Sequence, residues 1–201
     1  MATSDIAIAN RALTKLGVAR IISFGDNNEQ ARALQSMYTI VRDSELRAYT
    51  WNFSIRRASL AALVDVPEFD WARQFQLPAD CLRLLWAGNF YPGPNLSDFT
   101  NSQWKEYEIE GRSIMSNLPA PLRIRYVAQI TDPTFFDPLF GEALACKLAI
   151  ELAESLTSSS TNRQLAWNEY KQAIIKALRS DAIESPADTI ADDTWMLSRN
   201  L

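Results

Sequence analysis

The sequence predicts an α+β fold: a helical bundle of about four helices, a small antiparallel β-sheet and an extended C-terminal arm. Apolar residues recur at helical spacing toward both ends of the chain, whereas they alternate with polar residues from Trp104 to Tyr126. The stretch Leu122–Leu156 joins both patterns, since an alternating strand leads through Asp137-Pro138 into the most apolar helix candidate. At 201 residues, the chain suits a single domain over residues 1–181 and an arm over residues 182–201.

Two helices are predicted in the N-terminal quarter. The first covers about residues 4–16, with Thr3 or Ser4 as its cap and Gly17 as its stop. The second covers about residues 29–50, after a connector that ends in turn-forming residues. Glu45 interrupts the apolar face of the second helix. Its carboxylate either receives a hydrogen bond from a neighbouring donor or contacts another subunit.

The β region is predicted within about residues 75–127. Ser54 to Ala62 reads as less regular, and its Arg56-Arg57 pair is either a solvated face or a contact to phosphate or carboxylate. Val64 to Trp71 reads as loop. Strand segments are then expected at Phe75, Leu77, Cys81 to Trp86, and in the alternating residues from Trp104 onward.

Charged residues at alternate positions indicate which faces of these strands are exposed to solvent. Glu106, Glu108 and Glu110 form one row, and Arg123 and Arg125 form another. If the strands share a sheet, the two rows face each other as cross-strand pairs. The acidic row is therefore interpreted as a solvated sheet face and not as a catalytic pair.

Two more helices are predicted after the sheet. The third covers about residues 138–157, with Asp137 as its cap, Pro138 at its first position and a thin polar stripe, which comprises Lys147, Glu151, Glu154 and Ser158. So narrow a polar edge implies that other helices surround it. The fourth covers about residues 162–180, capped by Thr161, and is expected to bury Trp167, Tyr170, Ile174, Ala177 and Leu178.

Two stretches are candidates for contacts with partners. The Pro- and Gly-rich insert 87–103 carries Phe90, Tyr91 and Phe99, which either fold back on the core or serve as a contact surface. The arm has too few apolar side chains to offset the entropy cost of ordering itself. It is either disordered or docked on another subunit through its late apolar residues, which are Ile190, Trp195, Met196 and Leu197.

Composition excludes several classes of function. The chain has no histidine, which removes the commonest general base and most zinc sites. Its two cysteines, Cys81 and Cys146, lack metal-ligand spacing and are expected to be buried, reduced thiols. The net charge of −4 disfavours a nucleic-acid-binding role. We expect no catalytic residues, cofactor site, metal site, signal peptide or membrane segment, and synthesis in a cytoplasm.

Several motifs, in order along nearly the whole chain, resemble the tail tubular protein A family of short-tailed bacteriophages. The matching residues are Ala9-Asn10-Arg11-Ala12-Leu13 with Leu16-Gly17, Arg42-Asp43, Trp51-Asn52-Phe53, Phe75-Gln76-Leu77-Pro78-Ala79-Asp80-Cys81-Leu82-Arg83, Tyr126-Val127-Ala128, and Asp137-Pro138-Leu139-Phe140 with Glu142-Ala143-Leu144-Ala145.

This resemblance implies a structural virion protein with no enzymatic activity and no cofactor. Members of the family form a dodecameric head-to-tail adaptor ring, which joins the portal to the tail nozzle and continues the DNA channel without sequence-specific binding. A ring of twelve such chains would carry a net charge of about −48, which favours a channel wall that repels DNA. The expected location is the neck or tail of the virion, after synthesis in the bacterial cytoplasm.

Two other functions are considered. A neck or head-completion protein could share the helical core and act as a gatekeeper that retains packaged DNA. A cell-wall hydrolase would have to use Glu45, Glu142 or the glutamates at 106, 108 and 110.

Overall fold

The computed structural model describes residues 4–88 and 107–184, and within these ranges it has an α+β fold. The helices are α1 (Asp5–Leu16), α2 (Glu29–Ala48), α3 (Pro138–Thr157) and α4 (Ser160–Glu184). The strands are β1 (Ile55–Leu60), β2 (Arg73–Gln76), β3 (Cys81–Ala87), β4 (Tyr107–Glu110), β5 (Ser113–Ser116) and β6 (Leu122–Ala128). None of the described helices is long and apolar enough to cross a membrane.

By its internal contacts the chain divides into two compact units. Among the described residues, the helical unit comprises 4–55 and 127–184, and the strand unit comprises 56–88 and 107–126. The helical unit is built from two segments that are distant in sequence. The prediction of one domain over residues 1–181 stays a prediction.

Local capping explains where the helices of the helical unit begin and end. The side chains of Ser4, Asn28 and Asp137 accept backbone hydrogen bonds from the first turns of α1, α2 and α3. Gly17 ends α1 in the left-handed conformation, with φ of 70°. The predicted limits of α1, α2 and α3 are thus confirmed to within two residues.

The fourth helix differs from its prediction at both ends. It begins at Ser160, because the Ser159 hydroxyl, and not Thr161, accepts the hydrogen bond from Asn162 N. It continues to Glu184, and Asp181 near its end accepts a hydrogen bond from Asn52 N at 2.9 Å. Trp167 is 38% exposed and not buried as expected. The ammonium groups of Lys147 and Lys171 lie over its ring instead.

Helix α3 is the centre of the helical unit. It packs against α1, α2 and α4, as its thin polar stripe predicts. The alanine row Ala145, Ala149 and Ala153 is fully buried, so neighbouring helices can approach closely. An aromatic cluster, made of Trp51, Phe53, Phe136 and Phe140, closes one end of this core with ring centroids 5.1–6.1 Å apart.

The strand unit contains two three-stranded antiparallel sheets and not the one small sheet predicted. One has the order β1-β6-β3 and the other has the order β2-β5-β4. Strand β1 occupies the stretch that was expected to be irregular. Its apolar and polar residues alternate only over the four residues from Arg57 to Leu60, which is a weak strand signal, and its neighbour in the sheet is β6, which lies far away in sequence.

The expected pairing of glutamate and arginine rows is wrong, because β4 and β6 belong to different sheets. The turn at Gly111 directs β4 onto β5, and Glu108 lies opposite Met115. Strand β6 instead lies between β1 and β3. Glu106 lies outside the described residues.

Candidate functional site

The residues predicted to contact partners lie outside the described part of the chain. These are Phe90, Tyr91, Phe99, Ile190, Trp195, Met196 and Leu197. Their role stays a prediction from the sequence. Within the described ranges, three other features have the geometry or exposure of a functional site.

The first feature is a charged cluster on the helical unit. Arg11 on α1 donates two hydrogen bonds to the Glu142 carboxylate of α3, from Nε at 3.0 Å and from Nη2 at 3.2 Å. Lys15, one turn further along α1, places Nζ 2.8 Å from Glu142 Oε1 and 2.8 Å from Glu169 Oε2 of α4. The cluster therefore ties three helices together.

Mutual pairing keeps the members of this cluster charged. Burial alone would raise the pKa of Glu142, but Arg11 and Lys15 outweigh it and lower that pKa. Burial would likewise lower the pKa of Lys15, and its hydrogen bonds to Glu142 and Glu169 raise it instead. A carboxylate held ionised and an ammonium held protonated are poorly suited to exchange protons near neutral pH.

A surface hollow of about 330 Å³ lies beside the cluster. Its lining includes Lys15, Glu142, Glu169, Lys176 and the Cys146 thiol. Burial raises the pKa of Cys146, which disfavours the thiolate that a nucleophilic cysteine needs. The arrangement is consistent with a structural brace between helices. From the sequence, Glu142 was considered only as part of a motif and as a hydrolase candidate, and its partners Arg11 and Lys15 were missed, although their i, i+4 spacing on α1 places two basic side chains on one face of that helix.

The second feature is Glu45, which is buried on α2. Its Oε2 accepts a hydrogen bond from the Tyr170 hydroxyl of α4 at 2.8 Å. The interpretation of Glu45 as a carboxylate satisfied by a neighbouring donor is thereby confirmed. Burial raises the pKa of Glu45, and the Tyr170 hydrogen bond and the charge of Lys147 offset part of this effect. Glu45 does not line the hollow.

The remaining hydrolase candidates lie elsewhere. Glu108 and Glu110 are exposed on β4, at the edge of its sheet. Within residues 4–88 and 107–184 there is no group of three or more histidine, cysteine, aspartate or glutamate residues that could hold a metal ion. Cys146 is buried and Cys81 is half-buried, and neither forms a disulfide.

The third feature is a set of exposed apolar side chains in a loop of the strand unit. Val64 is 97% exposed, Phe69 is 75% exposed and Val66 is 63% exposed, all in the loop between β1 and β2. Apolar residues interleaved with acids in a loop were a usable signal. Side chains of this size at such exposure are candidates for contact with another molecule.

No family model matches the chain, and no curated protein matches it significantly.

Proposed function

We propose that this protein is a structural subunit of a phage virion, a head-to-tail adaptor that assembles into a ring between portal and tail nozzle and continues the DNA channel. One observation carries the proposal. The residues of the motifs that resemble the tail tubular protein A family are residues that connect separate segments of this fold. A motif made of such residues specifies an architecture and not a chemistry.

Four contacts illustrate this coincidence. Asn10 makes two hydrogen bonds of 2.8 Å with the backbone of Ile21 and so holds the α1–α2 connector against α1. Asp43 accepts a hydrogen bond from Gln129 at 2.6 Å. Asn52 donates two hydrogen bonds to Asp181, from its backbone N to the carboxylate and from its side-chain amide to the backbone oxygen. In the strand unit, Asp80 accepts a hydrogen bond from Tyr126.

Aromatic packing supports the same point. Trp51 and Phe53 come from one motif and Phe140 comes from another, and their rings meet edge-on at centroid distances of 5.1 Å. The segments concerned are more than eighty residues apart in sequence. The residues of the resemblance are thus used for packing, as expected of a structural protein.

The surface also supports an assembling subunit. Large apolar side chains are exposed on both units, among them Ile22, Ile40, Val64, Phe69 and Phe135. A ring requires two different contact faces on every subunit, since each copy meets its two neighbours through different surfaces. Single exposed apolar residues are ordinary, but a braced loop with three of them is a candidate contact face.

The test is to determine the assembly state of the purified protein. Size-exclusion chromatography with light scattering, followed by negative-stain microscopy, should reveal rings, either of the protein alone or after addition of the portal. The expected symmetry is twelvefold. A protein that stays monomeric and never binds a portal would overturn the proposal.

Particles produced without this protein separate the adaptor from the gatekeeper. Filled heads that lack tails are expected for an adaptor, whereas loss of packaged DNA would favour a gatekeeper. A peptidoglycan hydrolysis assay tests the alternative that the protein is a cell-wall hydrolase. Activity of the wild type that is lost in Glu45→Gln or Glu142→Gln would favour a hydrolase over the adaptor.

A further inference from the structure

Residues 61–72, the segment between β1 and β2, form what we call the acidic loop. It contains Asp65, Glu68 and Asp70 and no basic residue. Within the described part of the chain, none of these three carboxylates forms an ion pair. The exposed Val64, Val66 and Phe69 stand between them.

Backbone contacts hold the acidic loop in place. Leu63 N donates a hydrogen bond to Gln74 O at 2.9 Å, and Ala62 forms a β-bridge with Phe75. At the other end, Ala72 N donates a hydrogen bond to the side-chain oxygen of Asn117 at 2.8 Å. The loop therefore presents its apolar and acidic side chains outward from a fixed base, which lowers the entropy cost of binding through them.

The β1-β6-β3 sheet has the opposite character. Its three strands carry five arginines and no acidic residue. In β6, the buried Leu122, Ile124 and Tyr126 alternate with Arg123 and Arg125, and in β1 the half-buried Ala58 and Leu60 alternate with exposed Arg57 and Ser59. Neighbouring strands share their wet face. Its exposed arginines, Arg57 and Arg123, define this surface, which we call the arginine face.

The arginine face can accept a partner of mixed character. Arg57 and Arg123 are exposed and form no ion pair with any described residue. Guanidinium groups bind carboxylates in a bidentate manner, and the aliphatic part of an arginine side chain covers apolar groups. The chemistry that fits this face is therefore an acidic segment with apolar side chains, which is the composition of the acidic loop.

We infer that the acidic loop of one copy docks on the arginine face of a neighbouring copy, an inference that rests on the proposed ring. Val64 is 97% exposed and Phe69 is 75% exposed, so the described residues leave these two side chains uncovered. The two surfaces are different and complementary, so repeated contact between them is head-to-tail and leads to a ring when the rotation closes. A nucleic acid would match the arginines but would leave Val64 and Phe69 uncovered.

Charge reversal provides the test. Variant A, Arg57→Glu with Arg123→Glu, has an acidic loop and an acidic face, and variant B, Asp65→Lys with Glu68→Lys, has a basic loop and a basic face. Each variant alone repels itself, so half-assembly should need at least about tenfold more protein than the wild type. An equimolar mixture should assemble again, because A and B are complementary and can alternate around a ring.

Two matched controls change the same number of charges elsewhere. Arg47→Glu with Arg179→Glu alters exposed arginines of α2 and α4, and Glu108→Lys with Glu110→Lys alters exposed acids of β4. Both controls should assemble like the wild type. Circular dichroism verifies that all variants are folded, which is expected because every changed side chain is exposed.

The outcomes separate this inference from the proposed function. If variant A alone and variant B alone each form rings as readily as the wild type, the docking of the acidic loop on the arginine face is overturned. It is also overturned if the mixture of A and B stays unassembled. DNA binding is measured by the retention of a DNA duplex on the protein. If variant A forms rings like the wild type but no longer retains the duplex, the arginine face binds nucleic acid, and the docking of the acidic loop on it is overturned. A wild type that forms no rings and binds no portal overturns the proposed function itself, and the inference with it.

Discussion

The buried pair of Glu45 and Tyr170 makes the sharpest prediction about stability. Both side chains are less than 10% exposed, and the Tyr170 hydroxyl donates its hydrogen bond to the Glu45 carboxylate over 2.8 Å. Replacing Tyr170 by Phe removes the hydroxyl and leaves the carboxylate without this donor. A hydrogen bond to a charged group contributes about 1.5–3 kcal/mol, so the free energy of unfolding at neutral pH should fall by about that amount.

The loss should depend on pH, and the sign follows from the pKa. Burial already raises the pKa of Glu45 above its ordinary 4.5, and the Tyr170 hydrogen bond opposes this by favouring the ionised form. Without the hydroxyl the pKa rises further. A carboxyl with a raised folded-state pKa loses stability as the pH rises through that pKa. The variant should therefore be most destabilised at neutral pH and less so as the pH falls toward 4.5.

The assay is urea unfolding between neutral pH and pH 4.5. The control introduces Tyr170→Phe into a protein that already carries Glu45→Gln. Glutamine keeps an acceptor oxygen for Tyr170 but carries no charge, so Tyr170→Phe should cost only about 0.5–1.5 kcal/mol there. Glu45→Gln by itself should stabilise the protein at neutral pH, because it removes a desolvated charge. Equal losses in both backgrounds, or a loss that does not change with pH, would refute the role assigned to the ionised carboxylate.

Three further perturbations test other parts of the chain. Leu148→Ala leaves a cavity at a fully buried position of α3, and we expect thermal unfolding to report a loss of about 2–5 kcal/mol; no measurable loss would contradict the central place of α3. Gly17→Ala adds a Cβ that meets no atom within 4 Å but must adopt φ of +70°, so the free energy of unfolding should fall by about 1 kcal/mol through backbone strain alone, whereas Gly25→Ala should be nearly neutral. Deletion of residues 190–201 should leave the circular dichroism spectrum and the melting temperature unchanged but weaken ring formation or portal binding; an unchanged binding titration would contradict the contact role predicted for Ile190, Trp195, Met196 and Leu197.

Much of the helical unit follows from the sequence because helix signals are local. A cap residue acts on backbone groups two or three residues away, so Ser4 and Asp137 mark the starts of α1 and α3 unaided. The apolar faces repeat every three or four residues, and the thin polar stripe of α3 indicated that other helices surround it. The run Ser158 to Thr161 offers four successive residues that can cap a helix, and the predicted start of α4 was therefore wrong.

The candidate site was less predictable, because its members are brought together from distant parts of the chain. Glu45 was recognised as an oddity on an apolar face, but its donor is 125 residues away. Glu142 was recognised, yet Arg11, its partner 131 residues away, was not. The apolar residues interleaved with acids in the loop were a signal of a contact surface, but that Val64 and Phe69 are held outward depends on Gln74 and Phe75, which anchor the loop at its base.

The sequence by itself determined the α+β class, the four helices, the caps of α1 and α3 and the packing of α3 at the centre of its unit. Only the tertiary structure decided that the strands form two sheets, that β1 exists, and that the glutamates of β4 and the arginines of β6 belong to different sheets. The physical reason is the range of the interactions. Helix hydrogen bonds and caps are closed within one or two turns, whereas the neighbours of β1 and β6 and the ion pairs between helices are chosen by packing between segments distant along the chain.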